Sequence, residues 1–230
     1  MAYKSIIIDK DWMADKNIKY NLMLWGLSVA SFHIEDNKPV YSFAKKLLNY
    51  TNIEEFISTD YAGERGCTQR TGSRPTLRKA AEELFNIGYW VNDGDRVIIS
   101  SVKNGYVRLE EYQIDTIIQT LKEEETKILL WLIQMDQFAK QEKHVHFRFT
   151  KRQGIKRLGL SEGSHSLRKV QQIYDSLKEL EFIDFIMVKE KYKGYWVDLY
   201  QLQNVNIDAD PLELHYKDNI MPEMDDIFGE

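Results

Sequence analysis

The sequence predicts an α+β chain, mainly helical, built as two similar halves followed by an acidic tail. Three observations lead there. Helix-period apolar segments alternate with short strand-like runs that end in turn residues. The same order of segments occurs twice, about 100 residues apart, too long a period for a solenoid. Residues 208–230 carry eight acids (Asp208, Asp210, Glu213, Asp218, Glu223, Asp225, Asp226, Glu230) against Lys217 alone. The expected domains are therefore 1–104, 105–207 and the tail 208–230, with the division near Asn104-Gly105. A chain of 230 residues, 43% hydrophobic, suffices for one large domain or two small ones with real cores.

Each half opens with a strand-like run ending in an acid and an aromatic, SIIIDKDW (5–12) and YVRLEEY (106–112). Helix-period apolar segments follow, Tyr20 to Phe32 and Thr126 to Phe138, with Trp25 and Trp131 in equivalent places. Short basic amphipathic stretches come next, YSFAKKLLNY (41–50) and TKRQGIKRLGL (150–160). Each half then carries a second long helix and a β-hairpin. In the first, SRPTLRKAAEELFNIGYW (73–90) has Ser73 as N-cap and Pro75 in the first turn, where a missing N–H costs little. Leu77, Ala80, Ala81, Leu84 and Ile87 form the inward face. Gly88 ends the helix, and VNDGDRVIIS folds back on itself as a tight hairpin. In the second, 163–183 repeats this layout with Val170, Ile173, Tyr174, Leu177 and Leu180 inward, and the hairpin 183–202 turns around Lys189 to Gly194.

The net charge of -5 conceals a strong asymmetry, because residues 1–207 sum to +2 once the tail is set apart. Residues 63–79 hold five basic side chains to one acid, and 140–169 hold nine to two. Local fields rather than total charge steer a polyanion to a surface. A mean hydropathy of -0.48 and the lack of any long apolar run argue against a membrane helix. MAYKSIIIDKDW does not read as a secretory signal, and one cysteine, Cys67, allows no internal disulfide. The expectation is a reduced, cytoplasmic setting, at the bacterial nucleoid if the partner is DNA.

Ser73-Arg74-Pro75-Thr76-Leu77-Arg78-Lys79-Ala80, with Leu84, Gly88 and a basic-tipped hairpin, resembles the recognition helix and wing of winged helix-turn-helix proteins. TKRQGIKRLGLSEGSHSLRKV is similar to the helix-turn-helix of a second copy, with Gly159 in the turn. The whole layout resembles the tandem winged-helix replication initiators of plasmids and phages. Two departures stand out: the segment from Ile53 to Gly72 is long for the turn between two such helices, and Glu181 replaces the expected glycine. The resemblance implies double-stranded DNA as partner and no catalysis, with a transcriptional regulator as the alternative. It also implies a homodimer, or two modules reading sites about one helical turn apart.

Base reading would fall to Ser73, Arg74, Thr76, Arg78 and Lys79 in the first half, and to Ser164, His165, Ser166, Arg168, Lys169 and Gln172 in the second. Arg65, Arg70, Lys151, Arg152, Lys156 and Arg157 suit phosphates, and Arg96, Lys191 and Lys193 the backbone or minor groove. The bland alternative is a solvated face; for the first half, dimerisation competes equally. Trp25, Trp131, Tyr174 and Phe182 fall on apolar faces and read as core, leaving Trp12, Tyr195 and Trp196 as candidate exposed aromatics.

Other chemistry finds little support. His144-Val145-His146 invites comparison with the metal site of rolling-circle nickases, with Tyr174 as nucleophile and Lys178 one turn on, yet no third ligand is visible. Phosphate loops, nucleophile elbows and paired cysteines are lacking, so neither cofactor nor metal is expected. Cys67, in ERGCTQR, is either a redox switch or an incidental thiol. The tail, closing on Met224, Ile227 and Phe228, fits a docking peptide for a regulatory or replication partner, a mask for the basic face, or a solvating segment.

Overall fold

A computed structural model of the chain describes residues 5–9, 18–35, 38–57, 74–100, 106–141, 146–192 and 195–207. It is an α+β fold whose described strand pairs are all antiparallel. The opening strands of the two halves, β1 (Ser5–Asp9) and β6 (Tyr106–Glu110), pair with each other, Ile7 opposite Arg108.

In the first half, α1 (Tyr20–Val29) leads into the hairpin β2 (Ser31–Glu35) and β3 (Lys38–Ala44). A 3-10 turn (Lys45–Leu47), α2 (Tyr50–Ile57) and α3 (Arg74–Asn86) follow, then the hairpin β4 (Trp90–Asp93) and β5 (Arg96–Ile99). The four strands form one sheet in the order β2-β3-β5-β4. Two expectations are corrected here. The helix from Tyr20 stops at Val29 instead of reaching Phe32, and the basic amphipathic stretch 41–50 is divided between the end of a strand, a 3-10 turn and the start of the next helix. The alternation Ser31-Phe32-His33-Ile34-Glu35 lets β2 add to the sheet, and a pleated edge satisfies more backbone groups than a frayed helix end would.

In the second half, α4 (Glu111–Thr120) and α5 (Glu123–Gln141) precede the two-residue strand β7 (Arg148–Phe149). Then come α6 (Lys151–Leu158), α7 (Ser164–Glu179) and the long hairpin β8 (Ile183–Tyr192) and β9 (Tyr195–Val205). The sheet order is β7-β9-β8.

The two halves share one backbone motif. Gly88 N–H donates to Phe85 O and Tyr89 N–H to Leu84 O; Glu181 N–H donates to Lys178 O and Phe182 N–H to Leu177 O. Each hairpin then returns to the same place, Ser100 N–H to Tyr89 O and Asn206 N–H to Phe182 O. These are matched Schellman caps that turn a helix into a strand.

One continuous core runs through both halves, joining Leu24, Trp90 and Ile53 with Ile117, Leu130 and Tyr174. Trp25, Trp131, Tyr174 and Phe182 are all buried in it, as their helical spacing predicts, whereas Ile87, past the end of α3, is half exposed. The seam is polar at one point: Glu123 of α5 accepts from the N–H groups of Tyr20 and Asn21 at the start of α1. Asn21 Nδ2 donates back to Leu121 O at 3.1 Å.

Candidate nucleic-acid interface

The basic face of the second half is built on α6, α7 and the β8–β9 hairpin. α6 starts on a reciprocal cap: Gln153 N–H donates to Thr150 Oγ1 at 3.2 Å and Thr150 N–H to Gln153 Oε1 at 2.7 Å. It stops at Gly159, whose φ of 70° is the left-handed conformation expected of the turn glycine. Gly154 lets α7 approach closely; a Cβ there would sit 2.5 Å from Tyr174 Oη and 2.6 Å from Val170 Cγ1.

Aromatic packing fixes α7 against the hairpin. Phe149, Tyr174, Phe185 and Tyr200 pack with ring centroids 5.0–6.4 Å apart, pairs worth roughly 0.5–1.5 kcal/mol each beyond their burial. The Tyr174 hydroxyl donates to Thr150 O at 3.2 Å, tying α7 to the cap of α6. Burial pushes that phenol well above its ordinary pKa. A fully buried, hydrogen-bonded Tyr174 has no access to a phosphodiester, so its casting as a nickase nucleophile is withdrawn. At the far end Lys178 Nζ bonds Phe185 O at 2.9 Å and Asp184 at 2.8 Å. The Lys178 hydrogen bond holds the Asp184 carboxyl below its usual range.

On this scaffold Arg152, Lys156, Ser164, His165, Arg168 and Gln172 are exposed, Lys151 is half-buried, and Lys191 is exposed on the hairpin. Lys151, Arg152, Lys156 and Arg168 form no ion pair with a described carboxylate. Three expected contacts are corrected. Ser166 is buried among the packing residues of α7. Lys169 is drawn sideways to Glu124, Nζ to Oε1 2.6 Å. Arg157 is turned into the structure: its Nε and Nη2 have no hydrogen-bond partner among described residues. Burial lowers its pKa below the ordinary arginine value, with Tyr20 acting the other way.

Fewer of the expected cations of the first half fall among the described side chains. Arg96, expected as a wing contact, is paired with Glu35 (Nη1 to Oε1, 2.8 Å) and Asp93 (Nε to Oδ2, 2.7 Å). Arg78 is exposed but pairs with Glu82 along the helix, and Lys79 is exposed. Arg74 and Thr76 stand in the first turn of α3, where only the backbone is described. Arg65, Arg70, Ser73 and Lys193, like Trp12, Cys67, His144 and the tail 208–230, lie outside the described residues.

One feature of this face escaped the reading of basic residues. A cleft of about 550 Å³ opens between α6, α7 and the hairpin, lined by Lys151, Arg152, Leu167, Met187, Trp196 and Asp198 among others. The available signal was period two: Tyr200 points inward, so Trp196 and Asp198 share its side of β9 beyond the core.

Comparison of the chain with protein-family models, with curated proteins and with solved structures finds no match. No helix among the described residues is long and apolar enough to cross a membrane.

Proposed function

We propose that this chain is a tandem winged-helix protein that binds double-stranded DNA in a sequence-dependent manner, without catalysis. The observation that carries this reading is the α6–α7 pair. Its inner faces are locked by Gly154, Val170 and Tyr174, while Arg152, Lys156, His165, Arg168 and Gln172 are exposed. A rigid helix with exposed Arg and Gln in its first turns suits base edges in a major groove, and cations on the preceding helix suit the flanking phosphates. Replication initiation for a plasmid, phage or other mobile element is the particular role favoured, with transcriptional regulation as the alternative.

In the first half, the edge strand β2 leaves Phe32 50% and Ile34 68% exposed, and Arg96 is already neutralised. Both features favour pairing of two chains over DNA contact by this half. Sedimentation of the wild type against Ile34→Lys tests that reading: loss of a dimer supports it, and a monomeric wild type refutes it.

The test of DNA binding is a selection. Purified protein is mixed with fragmented DNA of its own element at moderate salt, and the retained fraction is sequenced. Directly repeated sites in one region favour an initiator, and an inverted site over a promoter a regulator. No retention at low salt sinks the reading.

A further inference from the structure

From the cleft between α6 and the β8–β9 hairpin we infer a binding site for a single unstacked nucleobase, beside the duplex-binding face. The inference deepens the DNA reading and rests on it. In the β8–β9 ladder Trp196 lies opposite Lys191, Asp198 opposite Lys189 and Met187 opposite Tyr200. Directly opposed residues share a face, so these side chains stand on the side of the hairpin that faces the helices. Tyr200 is sealed in the core, but Trp196 is 70% and Met187 62% exposed. An indole and a thioether thus stand in water on a continuous antiparallel ladder.

The walls are chemically divided. Trp196, Met187 and Leu167 offer flat or polarizable apolar surface; Lys151 and Arg152, at the capped start of α6, offer positive charge; Asp198 offers a carboxylate. A nucleotide needs these three things: a stacking surface for the base, cations for its phosphate, and an acceptor for an exocyclic amino group. The volume, about 550 Å³, falls within the range of roughly 300–1,000 Å³ usual for small-ligand clefts. A base inside a duplex cannot reach Trp196, so the cleft selects DNA that is melted, mismatched or flipped.

The test uses the full chain labelled with 5-fluorotryptophan, the Trp196 signal being assigned by Trp196→Phe. A short oligodeoxycytidylate, whose bases carry an exocyclic amino group, and a fully paired duplex are titrated separately while ¹⁹F spectra and affinities are recorded. The expected result is a shifted Trp196 signal with the single strand. Trp196→Ala should weaken single-strand binding about tenfold, Trp196→Phe should restore most of it, and duplex affinity should stay within about twofold. Equal losses for both DNAs, or an unmoved Trp196 signal, overturn the site. So does a signal moved only by the peptide MPEMDDIFGE, which would assign the cleft to an acidic peptide. Duplex binding without any single-strand effect removes this site alone; single-strand binding without duplex binding removes the duplex reading and keeps the cleft.

Discussion

Gly88 and Glu181 occupy the same place in the two halves and share one conformation, with φ of 79° and 60°. Both follow a long helix, donate to the third carbonyl back, and precede the aromatic that leads into the hairpin. The left-handed region costs a residue with a Cβ roughly 1–2 kcal/mol, so Glu181 is strained where Gly88 is not.

Glu181→Gly is therefore expected to stabilise the fold by about 1 kcal/mol, less any entropy gained by the unfolded chain. Gly88→Ala should destabilise it by a similar amount, since nothing lies within 4 Å of the new Cβ and only conformation opposes it. Urea midpoints of the two variants moving in opposite directions would verify the equivalence. Unchanged midpoints would refute it.

Gly154→Ala has a different cost. A methyl group cannot share space with Tyr174 Oη and Val170 Cγ1, so α6 must move off α7, at roughly 1–3 kcal/mol. Both stability and DNA affinity should fall together, because the spacing of the two helices sets the recognition face. An alanine variant with native affinity would separate the two.

Glu123 carries a pH dependence. Burial raises its pKa above the ordinary 4.5, opposed by hydrogen bonds from Tyr20 and Asn21 N–H. A raised folded pKa means this group's stabilisation is full below about 4.5 and is lost as pH climbs through the folded value. Relative to Glu123→Gln, the wild type should thus lose stability as pH rises from that point. Glu123→Ala should cost about 1 kcal/mol below that point, through the lost cap, and progressively less as pH rises. Parallel stability curves for wild type and Gln variant would contradict the assignment.

Neighbouring cations on α6 should part ways. Lys156→Ala is expected to weaken binding to every duplex and to lower the salt slope by about 1. Arg157→Met should leave DNA affinity alone and hold or raise the urea midpoint, because it replaces a half-buried, incompletely bonded charge by packing. A salt slope changed by Arg157→Met, but not by Lys156→Ala, would reverse the two roles.

Base preference should rest on α7. Arg168→Ala is expected to relax specificity at one position of the selected site by roughly 1–3 kcal/mol, while Arg96→Ala changes nothing in DNA affinity. Competition between matched and substituted duplexes measures the first. A loss of affinity with Arg96→Ala would mean that DNA displaces Glu35 and Asp93 from its guanidinium.

Much of this molecule was determined locally. Helical spacing placed Leu77, Leu84, Val170 and Leu177 in the core, and turn chemistry placed Gly88 and Gly159 at helix ends. Even the flag at Glu181 was readable, since a missing glycine marks a conformation that the backbone still has to adopt. Other features depend on partners distant in sequence, which no local pattern encodes. β1 needs β6, a hundred residues on, to satisfy its ladder; β2 pairs with β3, whose other edge is filled by β5 from far along the chain. Arg157 and Lys156 are adjacent and equally basic, yet the tertiary structure partly buries one and leaves the other in water. Charge and periodicity fix which residues are candidates for a surface, whereas the direction each one faces is a property of the assembled core.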